Sequence, residues 1–141
     1  MKKIYLNKNI WLGDKESCCN SIMRTIHIWR NDYPDQRCSM LRNNDIEIDY
    51  KDGDSLYKMN IPLYELYEKL KGTDDIFIHC QCCVTRSPHI ALLALIARNV
   101  GLFEAIQLIY SSMYEFREIP NFCRIPMQDI YNLALEQNLL F

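Results

Sequence analysis

The chain has 141 residues, 49% hydrophobic and 24% charged, with a formal net charge of −2. That suits one globular domain spanning 1–141, and gives no electrostatic reason to expect nucleic acid or a membrane surface as the main partner. No run of 18 apolar residues is present to span a bilayer, and the apolar stretch after Met1-Lys2-Lys3 is too short and too broken for a signal peptide.

In chain order, Ile4-Tyr5-Leu6 and Ile10-Trp11-Leu12 predict two short strands around Asn7-Lys8-Asn9. Glu16 to Arg24 predicts a short helix. Thr25-Ile26-His27-Ile28-Trp29 alternates and predicts a strand, followed by a loop over Asn31-Asp32-Tyr33-Pro34-Asp35. Ile46-Glu47-Ile48-Asp49-Tyr50 alternates again, and Lys51-Asp52-Gly53-Asp54 turns away. Leu56, Met59, Leu63, Leu66, Tyr67 and Leu70 share a helical face that stops before Gly72. Asp75-Ile76-Phe77-Ile78 predicts a core strand. Ile90 to Ala97 is apolar nearly all round, as a buried helix is. Further helices are predicted from Phe103 to Tyr114 and from Met127 to Leu135. Strands alternating with helices imply an α/β fold with a mostly parallel central sheet flanked by helices, with its ligand site beyond the carboxyl end of a central strand.

The chemistry concentrates in His79-Cys80-Gln81-Cys82-Cys83-Val84-Thr85-Arg86-Ser87-Pro88. A loop bent around a helix N-terminus aims unpaired backbone N–H groups at one point, where the helix dipole also favours negative charge. A thiol at its floor feels the same field, which favours the thiolate, and an arginine adds a planar fork matching two phosphate oxygens. The spacing alone is weak evidence: Cys18 and Arg24 share it, but Asp14-Lys15-Glu16-Ser17 before Cys18 cannot be a core strand. Ser87 and Pro88 are the residue types of a helix cap and first turn.

Here the chain resembles the cysteine-dependent tyrosine and dual-specificity protein phosphatases, in particular their compact bacterial or phage-like members. Their signature, His-Cys, five residues, Arg-Ser/Thr, is filled by His79, Cys80, Arg86 and Ser87. Gln81 and Pro88 are also common there, and Pro120-Asn121 followed by Arg124 looks like the tail of the compact members. The resemblance runs from about Ile46 to the C-terminus. It implies a protein-tyrosine-phosphatase-like fold of the dual-specificity type and a hydrolase without a cofactor. In that reading Cys80 attacks the phosphoryl group, Arg86 clamps its oxygens, and Ser87 bonds the sulfur as it departs. His79 orients the loop, and Gln81, Cys82, Cys83, Val84, Thr85 and Arg86 form the phosphate loop.

The leaving oxygen needs a proton from a carboxylic acid on a nearby loop. Asp49, Asp52 and Asp54 are available. The pattern Ile46-x-Ile48-x-Tyr50-Lys51-Asp52 resembles the compact relatives and favours Asp52. Asp49 stands nearer the separation from Cys80 that resembles the dual-specificity members.

One departure is plain. Cys82 and Cys83 occupy positions where the family has alanine and glycine, and glycine serves where backbone must approach a ligand closely. That leaves open a module that binds phosphate without turning it over. Either cysteine would also be a partner for an oxidised Cys80. His79, Cys80, Cys82 and Cys83 are potential zinc ligands, but their spacing is not that of zinc ribbons, so no metal is expected. Seven cysteines, odd in number and with adjacent pairs, fit a disulfide framework poorly and imply reduced thiols in a cytoplasmic setting. No Lys or Arg lies between Gln81 and Thr85, which ranks phosphoinositides and RNA below a phosphorylated protein. Beside the larger tyrosine phosphatases it resembles, a chain this short is expected to lack the long loop that deepens their pocket, and the resemblance then implies a shallow site that accepts phosphotyrosine together with phosphoserine and phosphothreonine.

Overall fold

The computed structural model describes residues 3–18, 22–30, 32, 41–80 and 86–141. β1 (Lys3–Asn7) and β2 (Ile10–Gly13) form an antiparallel hairpin. Lys8 and Asn9 both have positive φ, 53° and 62°, as a two-residue turn matching the twist of its strands requires. The Asn9 side-chain amide nitrogen donates to the Thr73 carbonyl at 2.7 Å and holds the hairpin turn against the turn that leads into Ile76. β3 (Arg24–Trp29), β4 (Ile46–Asp49) and β5 (Ile76–His79) complete a five-stranded sheet in the order β1-β2-β5-β3-β4. Every pairing except the hairpin is parallel, so the sheet is mixed but mostly parallel, and β5 is its middle strand.

Strand register sorts the side chains onto two faces. Ile10, Leu12, Ile26, Ile28, Ile48, Ile76 and Ile78 share one face, where they join the main core. Each fully buried Ile or Leu of this kind contributes about 1.5–3 kcal/mol. Phe77, His79, Thr25 and His27 point the other way.

α3 (Arg86–Ala97) is buried along its whole length and packs on β2, β5, α2 (Leu63–Leu70), α4 (Leu102–Tyr114) and α5 (Arg124–Glu136). No helix among the described residues is long and apolar enough to cross a membrane.

Four expectations need correction. The helix expected over Glu16 to Arg24 is only α1 (Lys15–Cys18), because Arg24 already belongs to β3, where it bonds Asp74 and the Lys69 carbonyl. The helix expected from Leu56 to Leu70 divides into a 3-10 turn, Leu56–Lys58, and α2. Pro62 forces the break: a proline disfavours helical backbone in the residue before it, so α2 starts after Pro62, which takes the N-cap position. Ser87 is the second described residue of α3 rather than its cap. α5 likewise starts earlier than expected, at Arg124, and takes Pro126 into its first turn, where a missing N–H costs nothing. The loop expected over residues 31–35 lies outside the described residues except for Asp32, which is in a turn.

Candidate active site

Cys80 follows the last residue of β5 and is 2% exposed. Arg86 opens α3 and is 5% exposed. Sequence and fold thus put the thiol at the carboxyl end of the middle strand and the guanidinium at the start of the buried helix behind it. Gln81, Cys82, Cys83, Val84 and Thr85, expected to cradle a phosphate, lie outside the described residues. Among the described residues Cys18, Cys80 and Cys123 carry no disulfide.

The carboxylate that meets Arg86 is Asp52: Arg86 Nε lies 2.9 Å from Asp52 Oδ1. Asp52 is half-exposed and Arg86 nearly buried, so the pair forms a lip between solvent and interior. The other two candidates are placed differently. Asp49 ends β4, its backbone N–H donating to Asn60 Oδ1 at 2.9 Å, and it lines a concavity of about 320 Å³ with Arg30, Lys51, Asp54 and Lys58. Asp54 lies 3.7 Å from Lys58 Nζ.

The turn that carries Asp52 is braced from several sides. Gly53 has φ +79°, which a residue with a side chain adopts only under strain. The buried Tyr50 hydroxyl donates to the Asp54 carbonyl at 2.7 Å, and burial raises its pKa, so it stays a donor. From α5, Asp129 Oδ2 accepts from Ser55 Oγ and from the Leu56 N–H, both at 2.9 Å. The Cys123 sulfur lies 3.8 Å from where a side chain on Gly53 would begin, and burial and then Asp52 raise its pKa. The Cys123 N–H donates to His89 Nε2 at 3.0 Å, tying the segment before α5 to the first turn of α3. Tyr50→Phe therefore leaves the Asp54 carbonyl short of a donor and should lower stability by about 1–3 kcal/mol, which urea denaturation would read.

Ser87 Oγ is fully buried without a hydrogen-bond partner among the described residues. Orphaned hydroxyls are rare in cores and call for a functional account.

His79 is 2% exposed, and its Nε2 lies 2.8 Å from His27 Nδ1. Burial, then the neighbouring His27, push its pKa down to about 4, with the Cys80 backbone pulling the other way. A group depressed in this way contributes stability that is present above its ordinary value of 6.5 and is lost as pH falls toward 4, because only the unfolded chain takes up the proton. Unfolding free energy should therefore drop by roughly 3 kcal/mol across that window, and His79→Gln should remove most of the drop. Urea denaturation at stepped pH checks both.

The sequence singled out Cys80, Arg86, Asp52, Ser87 and His79. The structure brings Asp52 to Arg86 and His79 to His27. It adds residues that the sequence had not assigned to the site: His27, Asp45, His89, Cys123 and Asp129. The one signal for His27 was a polar ring in a β-rich run, on the same side of the strand as Thr25 and Trp29.

No protein-family model matches the sequence, and no curated protein does. The architecture, however, recurs among solved structures. The human tyrosine phosphatase-like serine/threonine/tyrosine-interacting protein superposes with a TM-score of 0.72 at 11% identity, over 96% of this chain and 97% of that one. PTPMT1 gives 0.70 at 14%, over 97% and 96%. Human DUSP28 gives 0.68 at 12%, over 98% and 97%. The chain therefore has the fold of the dual-specificity and tyrosine phosphatases, a phosphatase-type scaffold over nearly its whole length. Identities of 11 to 14% speak to the fold alone.

Proposed function

We propose that the chain hydrolyses phosphomonoesters on phosphoproteins, phosphotyrosine together with phosphoserine and phosphothreonine, through a cysteinyl-phosphate on Cys80. The observation that carries this reading is the 2.9 Å contact between Arg86 and Asp52 at the head of α3. It brings a phosphate clamp and an acid-base group together on the scaffold of phosphatases. The order of events follows from charge. Without substrate, the Asp52 carboxylate occupies the guanidinium that a phosphoryl oxygen would take. An arriving phosphate dianion competes for Arg86 and frees the Asp52 carboxyl to serve the leaving oxygen.

The Cys80 thiolate then attacks phosphorus. The S–P bond forms, the P–O ester bond breaks, and Asp52 gives its proton to the leaving oxygen. In the second step water attacks the cysteinyl-phosphate, and Asp52 takes the proton from the water. The S–P bond breaks and the thiolate leaves, with the orphaned Ser87 hydroxyl donating to it. Arg86 holds the equatorial oxygens through both steps, where charge develops. The expected surroundings are cytoplasmic, with no cofactor and no nucleic-acid or membrane partner. Turnover of an aryl phosphate by the parent and its loss in Cys80→Ser test the proposal. Tight phosphate binding with no turnover in the parent would instead favour a phosphate-binding module.

A further inference from the structure

A buried polar chain lies behind Cys80. His27 on β3 and His79 on β5 are register neighbours. Their rings meet edge to face at 4.8 Å between centroids, and His27 Nδ1 lies 2.8 Å from His79 Nε2. The other nitrogen of His27, Nε2, lies 2.8 Å from Asp45 Oδ2, and both side chains of this pair are 2% exposed. Asp45 is itself fixed: its oxygens accept from the backbone N–H groups of Thr25 and Arg42, each at 3.0 Å. Burial pushes the Asp45 carboxyl up, but the donors from His27, Thr25 and Arg42 together bring it below the usual range. Cys18 on α1 completes the surroundings, its sulfur 3.6 Å from His27 Nδ1. The other charged groups acting on His79 are Asp14 and Lys15.

Cys18, His27 and His79 together have the ligand atoms of a zinc site, all within 4.8 Å of one another. Their spacing argues against one. Tetrahedral zinc with Zn–N bonds of about 2.0–2.1 Å holds two nitrogens about 3.3 Å apart. A separation of 2.8 Å is that of a hydrogen bond, one proton shared between two rings.

We propose that Asp45 and His27 are positioning residues for Cys80, forming with His79 a carboxylate–ring–ring chain that fixes the orientation and tautomer of His79 beside it. A carboxylate only accepts, so His27 Nε2 carries a proton. That leaves Nδ1 of His27 to share a single proton with His79 Nε2, and so decides which His79 nitrogen is protonated. The remaining nitrogen, His79 Nδ1, is buried on the residue preceding Cys80, whose backbone acts on the ring. Without Asp45 the chain has no fixed direction. Outer partners that orient a working histidine play the same part around metal ligands.

This inference rests on Cys80 being the nucleophile of the proposed phosphatase, so its test is read apart from turnover. The ring ¹⁵N and ¹H signals of His27 and His79 are recorded in the parent, Asp45→Asn and His27→Gln proteins. Alkylation of Cys80 by iodoacetamide at neutral pH, with protection by inorganic phosphate, is followed by peptide fragmentation in the same three. The parent should show a far-downfield proton coupled to nitrogens of both rings. In Asp45→Asn that signal should vanish, the tautomer of His79 should change, and phosphate-protectable alkylation should slow about tenfold. His27→Gln should slow alkylation likewise, which keeps the test alive if Asp45→Asn does not fold. An unchanged His79 ring with alkylation within twofold of the parent would overturn the proposal, even if melting temperature fell. So would stoichiometric zinc retained by the parent and lost in Cys18→Ala. A parent that alkylates normally but turns over nothing would sink the hydrolase reading and leave the His79 ring signals to decide this one.

Discussion

Cys80→Ser should lower turnover of an aryl phosphate by about 10³-fold or more, while the protein still binds inorganic phosphate. The two halves of this result have different physical origins. Turnover needs a nucleophile that forms and then breaks a bond to phosphorus. A serine hydroxyl, far less acidic than a thiol and a poor leaving group from phosphorus, does neither step well. Binding needs the α3 N-terminus and the Arg86 guanidinium, which this substitution leaves in place. Cys80 is 2% exposed at the end of the middle strand, and serine is slightly smaller than cysteine, so the fold should tolerate the exchange. Steady-state kinetics and phosphate protection against urea, measured on the same preparation, separate the two effects. A protein that loses both has lost its fold and not only its nucleophile.

Asp52→Asn should lower kcat by about 10²–10⁴-fold on an alkyl phosphate, whose leaving oxygen needs a proton. On an aryl phosphate with an acidic phenol the loss should be smaller, because that leaving group departs as an anion with less help. Asparagine keeps the size of aspartate and an oxygen able to accept from Arg86 Nε, so the 2.9 Å contact survives while the transferable proton does not. Asp49→Asn is the control. Asp52 meets Arg86 while Asp49 faces a concavity lined by Arg30, Asp54 and Lys58, and its exchange should leave kcat on either substrate close to that of the parent. Loss of one limb of the pH–rate profile in Asp52→Asn alone would assign the acid. The reverse pattern, with Asp49 carrying the limb, would return the role to the residue whose spacing resembles the dual-specificity members.

The core was open to sequence reading because it is written locally. Alternation in Thr25–Trp29 and Ile46–Tyr50, and the all-apolar run from Ile90 to Ala97, each declare a period and a burial pattern within a few residues. The strand, cysteine, arginine and helix order from Ile76 to Ala97 is equally local, and the structure reproduces it as β5 followed by α3. The break before α2 shows how a local rule was overridden: helical spacing from Leu56 to Leu70 continues through Pro62, but the backbone before that proline does not.

What stayed hidden depends on register between distant segments. His27 and His79 are 52 residues apart and meet because parallel β3 and β5 align them. Asp129 braces the turn after Asp52 from 74 residues beyond Ser55. Neither contact leaves a mark in any window of sequence. The choice between Asp49 and Asp52 was of the same kind. Three acids within six residues look alike as letters, and only the turn at Gly53, held by the Tyr50 hydroxyl, brings one of them to Arg86.

The central claim is that the sulfur of Cys80 carries the phosphoryl group between two chemical steps. Acid quenching of the protein during turnover of an aryl phosphate, followed by mass analysis of its peptides, tests it most directly. The account predicts a phosphoryl adduct on the peptide fragment bearing Cys80, absent from Cys80→Ser. Sustained turnover with no adduct at any quench time, or with Cys80→Ser as active as the parent, would contradict it.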